Sequence, residues 1–257
     1  MDIAASLGQQ IETLGPWFHN LHLPDGTQTA PGHAYGDFPS FKWQRLAAAV
    51  PQDLRGWSVL DIGCNAGFYS IELARRGARV LGMDVEPLYL KQAQWAARQF
   101  PFQDRLSFIE GDVYDLLSSN TQYDLVWFTG VFYHLRYPTL ALDLVRRATA
   151  KLMMFQSMTM PGSADSIAPP DLPLHQREQM LQEGWPKMAF IEHRVAGDSS
   201  NWWAPNPAGV EALLRSAGFQ VLSRPEHEFY VCKPTVIPPQ TAKDWQRLKA
   251  VASRSPR

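Results

Sequence analysis

The chain has 257 residues, 19% of them charged, and a formal net charge of −1 at pH 7. Because positive and negative charges nearly cancel, the molecule as a whole has no electrostatic attraction for nucleic acid, although a local basic patch is not excluded. With two cysteines the chain cannot build a disulfide framework, which favours a reducing compartment. No apolar run reaches membrane-spanning length and no export signal is visible, so we expect a cytoplasmic protein without a membrane partner.

The first fifty residues are expected to form a cap that precedes the core. Residues 1–14 read as a short helix that Gly15 and Pro16 would stop. Residues 15–40 are rich in glycine, proline, histidine and aromatic side chains, which is typical of an ordered loop. The stretch 41–50 predicts a helix that leads into the core.

Strand and helix patterns alternate after this cap, which favours a parallel sheet with right-handed crossovers. The predicted strands lie at 58–62, 78–83, 106–110, 123–129 and 150–157, and the predicted helices at 67–76, 87–100 and 138–148. Residues 160–205 are proline-rich and irregular, which indicates an insertion. A helix at 207–217, closed by Gly218, and a final pair of strands at 219–223 and 229–233 complete the elements.

The segment 58–67 is the most informative part of the chain. An apolar strand ends in Asp61, and the turn that follows carries Gly63, Asn65 and Gly67. Glycine has no Cβ and asparagine tolerates left-handed geometry, so a ligand can lie directly against the backbone of this turn.

The next strand delivers Asp84, placed to hydrogen-bond the two hydroxyls of a ribose. The order strand, glycine turn, helix, strand, acid is typical of a nucleotide-type cofactor site on an open α/β sheet. A dinucleotide fingerprint would space its glycines G-x-G-x-x-G to receive a pyrophosphate. Here an acid, Asp61, precedes the first glycine instead. It suits the ammonium group of S-adenosylmethionine, whose carboxylate the amides of the turn are expected to bind.

Two further strand ends supply predicted cofactor contacts. Asp112, after the third strand, is suited to accept from the adenine amino group while Val113 packs on the ring. Val85, next to Asp84, and Gly130, at the end of the fourth strand, complete this set. Three alternatives stay open: the glycines serve only strand–helix packing, Asp112 is an ordinary helix cap, or the fold binds the cofactor without catalysis.

Several stretches carry a family resemblance. They are Gly15–Phe18, Phe41–Arg45, Leu60–Tyr69, Gly130–Pro138 and Asn201–Asn206. Through them the chain, from Val59 to Phe219, resembles the bacterial tRNA wobble-uridine methyltransferases, which convert 5-hydroxyuridine at position 34 into its methoxy or carboxymethoxy form.

The resemblance implies a class I S-adenosylmethionine-dependent methyltransferase: an α/β, Rossmann-like fold with a mostly parallel seven-stranded sheet and a C-terminal antiparallel hairpin. We accordingly expect one domain over residues 1–257. Its parts are an N-terminal cap (1–50), a core (51–160 and 206–235), a lid insertion around the acceptor (161–205) and a polar tail (236–257).

The chain departs from this family in three respects. Members that use the carboxylated cofactor hold its extra carboxylate with a lysine and a tryptophan at positions where this chain has Leu14 and Asp37, while Lys42 is kept. An unpaired acid at Asp37 would repel that carboxylate, so we expect ordinary S-adenosylmethionine, with Lys42 among its contacts. The long N-terminal extension of the family is missing, and residues 160–200 differ.

His134 and Tyr133 are the predicted catalytic residues. Methyl transfer is an in-line displacement at an activated carbon, so the protein chiefly aligns the acceptor and excludes water. Histidine titrates near neutral pH and can take the proton of an acceptor hydroxyl. In the alternative interpretation His134 only caps the fourth strand and shapes the wall.

Other polar and aromatic residues are predicted to line the acceptor pocket: His19, His22, Arg136, Arg194, Trp202 and Trp203. The spacing of His19, His22 and Asp25 also invites a metal interpretation. Prolines and glycines surround these residues and methyl transfer needs no metal, so we predict no metal site.

The favoured function is O-methylation of a hydroxyl on a small molecule or biosynthetic intermediate, because the net charge is near zero, the extension is missing and the lid differs. The first alternative is a tRNA wobble 5-hydroxyuridine methyltransferase, supported by the resemblance and by local basic groups such as Arg146, Arg147 and Lys249. The second is a non-catalytic S-adenosylmethionine-binding module. A homo-oligomer is compatible with the sequence.

Overall fold

A computed structural model of the protein describes residues 6–162 and 167–253. Predictions for residues 1–5, 163–166 and 254–257, which include the start of the first helix and the end of the tail, lie outside the described residues. None of the helices within the described ranges is long and apolar enough to cross a membrane.

The regular elements follow the predicted alternation of strands and helices. The helices are α1 (Leu7–Thr13), α2 (Phe38–Leu46), α3 (Phe68–Arg75), α4 (Pro87–Ala97), α5 (Pro138–Ala148), α6 (Pro207–Ala217) and α7 (Pro239–Ala252). The strands are β1 (Ser58–Ile62), β2 (Arg79–Asp84), β3 (Leu106–Glu110), β4 (Tyr123–Thr129), β5 (Thr149–Gln156), β6 (Met188–Phe190), β7 (Trp203–Pro205), β8 (Phe219–Glu226) and β9 (Phe229–Pro234). Short 3₁₀ helices include Val113–Ser118, Phe132–His134 and Leu174–Leu181.

The main sheet has seven strands in the order β3-β2-β1-β4-β5-β9-β8. Strand β2 pairs in parallel with both β1 and β3, whereas β9 pairs antiparallel with β5 and β8. The predicted fold class is therefore confirmed: a mostly parallel, Rossmann-like α/β sheet that closes with a C-terminal antiparallel hairpin.

Contacts within the chain divide it into two compact units. The first unit comprises Met1–Asp115 and Tyr123–Trp127, and the second comprises Leu116–Gln122 and Phe128–Arg257. The partition into one domain with cap, core, lid and tail stays a prediction.

Aromatic and aliphatic burial holds the first unit together. Val59 and Leu60 of β1 are fully buried, as is Trp127 of β4. The Trp127 ring lies 4.8 Å from Tyr69 and 5.9 Å from Trp43, measured between ring centroids. Tilted aromatic pairs at such distances add to the stabilisation that burial of their surface provides.

Local signals set the ends of α6 in the second unit. The side chain of Asn206 accepts a hydrogen bond from the Gly209 amide at 2.8 Å and so caps the first turn. Gly218 ends the helix in the left-handed region at φ 91°, and a Cβ there would lie 3.0 Å from the Cα of Ile237. Only glycine meets both demands, so the sequence signal and the structure agree.

Three predicted elements differ from the structure. The helix expected at 41–50 begins at Phe38, since Pro39 fits the first turn of a helix, and ends at Leu46. The insertion, expected to be irregular, contains the antiparallel pair β6–β7. The tail, for which only a polar segment was expected, forms the 14-residue helix α7.

Candidate functional site

The turn after β1 in the first unit has the left-handed backbone that its residue types predict. Gly63, Asn65 and Gly67 have φ values of 71°, 50° and 85°. At Gly67 a Cβ would lie 3.2 Å from the Cβ of Ala93 and 3.3 Å from the ring of Phe108. The glycine is therefore required both by its dihedral angle and by close packing against α4 and β3.

Asp84 holds this turn in place. One of its carboxylate oxygens accepts the Asn65 amide at 2.8 Å, and the other accepts the Glu86 amide at 3.0 Å. Asp84 is buried, and burial raises the pKa of its carboxyl, although the amides of Glu86 and Asn65 oppose that shift. The carboxylate thus joins the loops after β1 and β2, and each oxygen keeps a lone pair for a ligand hydroxyl.

The amides of the turn are engaged within the protein. The Gly63 and Cys64 amides both donate to the Met83 carbonyl, and the Gly67 amide donates to the Cys64 carbonyl. The Ala66 amide donates to the side-chain oxygen of Asn65 at 2.7 Å. Each of these amides thus already has an acceptor that shapes the turn, and their expected role toward a ligand carboxylate stays a prediction.

Asp61 is buried within the same unit. Its carboxylate accepts a hydrogen bond from the Ser70 hydroxyl at 2.6 Å. Burial raises the pKa of Asp61 to about 7, with Ser70 opposing the shift and nearby Asp84 adding to it. A cation bound beside Asp61 would reverse this shift, since it favours the ionised carboxylate.

The ends of β2 and β3 carry the remaining predicted cofactor contacts. Asp112 accepts the Tyr114 amide at 2.6 Å, as a residue that begins a helical turn does, and this matches the alternative interpretation of Asp112 as a cap. Val113 is buried in the core, whereas the side chain of Val85 is 63% exposed. Only Val85 of these two therefore presents an apolar surface to solvent.

His19, in the loop before α2, is enclosed by aromatic rings. Phe18, Phe38, Phe68 and Tyr69 lie within 6.4 Å of it between ring centroids. Burial, with Lys42 and His33 nearby, lowers the pKa of His19 to about 3, so the imidazole is neutral at neutral pH. Its Nδ1 is buried without a hydrogen-bond partner within the described residues.

The side chains of His22 and Asp37 lie in direct contact with each other. The Nε2 of His22 lies 2.6 Å from a carboxylate oxygen of Asp37. Asp25 accepts from the Thr27 amide and hydroxyl, which is a local turn interaction. Across residues 6–162 and 167–253, no group of three or more histidine, cysteine or acidic side chains is arranged to hold a metal ion.

A polar network surrounds the end of β4 in the second unit. The Gly130 amide donates to the side-chain oxygen of Gln156 at 2.8 Å, and the Gln156 amide group donates to Glu228 at 3.2 Å. Glu228 also accepts from the Thr159 amide at 2.6 Å. These hydrogen bonds hold Gly130 in a left-handed conformation with φ 74°. No other atom lies within 4 Å of the position that a Cβ of this residue would take.

The predicted catalytic pair lies in the same unit. Tyr133 and His134 contact each other with ring centroids 4.2 Å apart. Burial, then Glu228 and Asp198, raises the pKa of Tyr133 to about 12, which keeps the phenol neutral. Burial lowers the pKa of His134, while Asp198 and Ser200 oppose the shift.

Part of the predicted acceptor wall gathers near this pair. The Trp202 amide donates to the Tyr133 carbonyl at 2.8 Å. The Arg136 guanidinium lies 5.0 Å from the Trp202 ring and 5.5 Å from the Phe190 ring, and these two rings are nearly parallel. Trp203 contacts the same Phe190 ring at 5.1 Å, whereas Arg194 is exposed.

Several residues that position this set were not predicted from the sequence. They are Ser70, Gln156, Asp198, Ser200 and Glu228. Ser70 lies one helical turn after Gly67, so its contact with Asp61 could have been inferred from the strand–turn–helix geometry. The others act across long separations in sequence, and no local pattern marks them.

A separate cavity of about 310 Å³ lies within the second unit. Its lining includes Arg146, Arg147, Lys249 and Trp245, and no acidic side chain. The Arg147 guanidinium lies 4.0 Å from the Trp245 ring. This cavity therefore combines positive charge with an aromatic face, unlike the near-neutral chain as a whole.

Comparisons with known proteins point to one class. Residues 59–151 match the family model of a methyltransferase domain. The chain is 27% identical over 218 residues to the tRNA U34 carboxymethyltransferase of Ectopseudomonas mendocina, and the match covers 82% of this chain and 58% of that protein. The counterpart from Methylococcus capsulatus is 26% identical over 216 residues, with 57% of that protein covered. The chain thus spans less than two thirds of these relatives.

Two solved structures share the fold. The N-terminal domain of EvdMO1, determined in the presence of SAH and D-fucose, superposes with a TM-score of 0.56 at 21% identity and covers 88% of this chain and 94% of that domain. The second is a Listeria monocytogenes protein whose own name is putative S-adenosylmethionine dependent methyltransferase. It superposes with a TM-score of 0.54 at 16% identity, and the match covers 77% of this chain and 99% of that chain.

These comparisons confirm the predicted resemblance to class I S-adenosylmethionine-dependent methyltransferases and the Rossmann-like fold. The domain type that residues 59–151 match is that of a methyltransferase enzyme. The individual site residues stay predictions.

The raised pKa of Asp61 makes the stability of the protein pH-dependent. The folded state binds this proton more tightly than the unfolded chain, so the stabilisation is complete below about pH 4 and is lost as the pH rises through 7. Between pH 5 and 8 Asp61 should lower the free energy of unfolding by about 2–3 kcal/mol. Urea unfolding of Asp61→Asn should lack this decrease.

Asp53→Asn is the matched control, because the Arg55 side chain lowers the pKa of exposed Asp53 to about 2, outside the tested interval. Equal pH dependence in wild type and Asp61→Asn would show that Asp61 is ionised throughout.

Proposed function

We propose that this chain transfers a methyl group from S-adenosylmethionine to a hydroxyl of a small-molecule acceptor. The observation that carries the proposal is the left-handed turn after β1, held by the Asp84 carboxylate and flanked by buried Asp61. The match of residues 59–151 to a methyltransferase domain supports it independently.

The first unit has groups that fit this donor. Each oxygen of Asp84 can accept a further hydrogen bond, which suits the two ribose hydroxyls. Asp61, with a pKa of about 7, suits an ammonium group, whose charge would favour the ionised carboxylate. Since the turn uses its own amides, Lys42 is the side chain we assign to the carboxylate of the donor.

The plain form of the donor fits better than the carboxylated form. Asp37 places a carboxylate in the cap of the first unit, and its Oδ1 is buried without a hydrogen-bond partner in the described part of the chain. The His22 ring contacts the other oxygen of Asp37 at 2.6 Å. A second carboxylate brought to this place would therefore meet the Asp37 carboxylate, while the His22 nitrogen already contacts Asp37.

The second unit supplies the residues that we assign to the acceptor. The donor brings a methyl group activated by its positive sulfur. His134 accepts the hydroxyl proton as the acceptor oxygen forms a bond to the methyl carbon and the carbon–sulfur bond breaks. The sulfur of the donor becomes a neutral thioether, so all atoms and charges of the transfer are accounted for without a further reactant. Tyr133 stays a neutral phenol that can donate a hydrogen bond to the acceptor.

Charge near Tyr133 favours a small, uncharged acceptor. Burial is the largest cause of the raised pKa of Tyr133, and the carboxylates of Glu228 and Asp198 add to it, so two negative charges lie near this residue. A phosphate-rich acceptor would be repelled at that point, whereas a sugar-like or phenolic hydroxyl would not be.

Calorimetric titration with S-adenosylmethionine tests the proposed donor site. Asp84→Asn replaces a carboxylate oxygen with an NH₂ group that faces backbone amides, so the turn loses a bond and the ribose an acceptor. The dissociation constant should rise at least about tenfold, which corresponds to about 1.4 kcal/mol.

Glu110→Gln removes an exposed carboxylate at the end of the neighbouring strand and serves as the control. An affinity of Asp84→Asn within twofold of wild type, with circular dichroism unchanged, would contradict the proposed site.

A tRNA acceptor is the second candidate function. The proteins that match most of this chain in sequence are named as tRNA U34 carboxymethyltransferases. The basic cavity of the second unit is the structural observation in its favour, since Arg147 and Lys249 suit phosphates and Trp245 suits a base.

Salt dependence separates the two functions. If tRNA is the acceptor, log K for tRNA binding should fall steeply with log salt, and Arg147→Gln and Lys249→Gln should each reduce the slope by about 1. Lys91→Gln, an exposed lysine of α4 in the first unit, should leave the slope unchanged. Binding that does not respond to salt would exclude tRNA as the acceptor.

A further inference from the structure

We propose that Asp198, acting through the Ser200 hydroxyl, fixes the tautomer of His134 so that Nε2 carries the lone pair. This inference rests on the proposed function, because the free Nε2 lone pair is what a base for the acceptor hydroxyl requires. In this account Asp198 and Ser200 are positioning residues, and His134 alone takes the proton.

The number of hydrogens on Asp198, Ser200 and His134 determines which group donates in each of the two hydrogen bonds. The Ser200 hydroxyl donates to a carboxylate oxygen of Asp198 at 2.7 Å. A hydroxyl has one hydrogen, so its oxygen can only accept at its other contact, which is the Nδ1 of His134 at 2.9 Å. Neutral His134 must therefore carry its hydrogen on Nδ1, which leaves the lone pair on Nε2.

This direction requires that Asp198 is ionised. The hydroxyl and the amide of Ser200 both donate to Asp198 and lower the pKa of its carboxyl. At neutral pH Asp198 therefore has no proton to donate, and the hydroxyl of Ser200 is the donor in their hydrogen bond.

Hydrogen bonds within the second unit hold the segment that carries Asp198 and Ser200 in place. The amides of Val195 and Asp198 donate to each other's carbonyls, which closes a tight turn. The Asn201 side chain donates to the Val195 carbonyl at 2.9 Å. The Trp202 amide then donates to Tyr133, so the loop from 195 to 202 is tied to the residue next to His134.

The same arrangement stabilises the product of proton transfer. When Nε2 gains a proton, Nδ1 keeps its own hydrogen and its hydrogen bond to the Ser200 oxygen, and Nδ1 of the imidazolium lies 3.8 Å from the second oxygen of Asp198. The Tyr133 ring, whose centroid lies 4.2 Å from that of His134, stays neutral, and Glu228 lies close enough to raise the pKa of Tyr133. No cation among these neighbours opposes the charge.

Nitrogen NMR of the free protein determines the tautomer of His134 and does not depend on catalysis. Above the pKa of His134 its Nε2 should show the downfield resonance of a nitrogen with a lone pair, and Nδ1 that of an N–H nitrogen. Ser200→Ala should convert this pattern to a mixture, and Ser200→Thr, which keeps a hydroxyl, should restore it. Ser200 is exposed, so these variants should fold.

Kinetics test the consequence. In Ser200→Ala and Asp198→Asn kcat should fall about tenfold with KM unchanged, as part of the contribution of a general base, and the pH profile of Asp198→Asn should shift to lower pH. Exposed Ser199→Ala is the control and should behave as wild type.

Two results would overturn the inference: a wild-type His134 protonated on Nε2, or a Ser200→Ala protein with the wild-type nitrogen spectrum. Failure of the proposed function gives a different result. If His134→Gln turns over at the wild-type rate while the wild-type tautomer is as stated, His134 is not the base and the positioning of the ring has no catalytic role.

Discussion

The hydrogen bond between the Asn65 amide and the Asp84 carboxylate is the interaction on which the candidate donor site of the first unit depends. Asn65 adopts a left-handed backbone that is unfavourable for most residues, and the bond to Asp84 offsets that cost. Because Asp84 also holds the Glu86 amide, one side chain sets the shape of two strand ends. The turn is thereby organised before any ligand arrives, which is the condition for tight binding at low entropic cost.

The second unit uses the same principle with different groups. The side-chain oxygen of Gln156 accepts the Gly130 amide, and the Ser200 hydroxyl lies 2.9 Å from Nδ1 of His134. In both cases a side chain from a distant segment orients the end of β4 or the turn that follows it. Gly130 and His134 are therefore each contacted by a side chain that makes a further hydrogen bond of its own, Gln156 to Glu228 and Ser200 to Asp198.

Elements that depend on local interactions could be predicted from the sequence, whereas elements that depend on residues distant in the chain could not. Strands 58–62 and 123–129 and helix 207–217 could be predicted to the residue, because hydrophobic pattern, cap and terminating glycine are local. The β6–β7 pair and α7 could not, since their stability comes from partners far away in the chain. Asp112 shows the limit for site residues: an acid after a strand is equally suited to a ligand or to a cap, and here it caps Tyr114.

Mapping of amide chemical shifts during titration with S-adenosylhomocysteine tests the central claim most directly. We expect saturable shifts that are largest for residues 61–68 and 84–86 in the first unit. They should be smaller throughout the basic cavity around Arg147. Shifts that are absent at saturating ligand, or that cluster away from the Asp84-held turn, would contradict the assignment of the donor site.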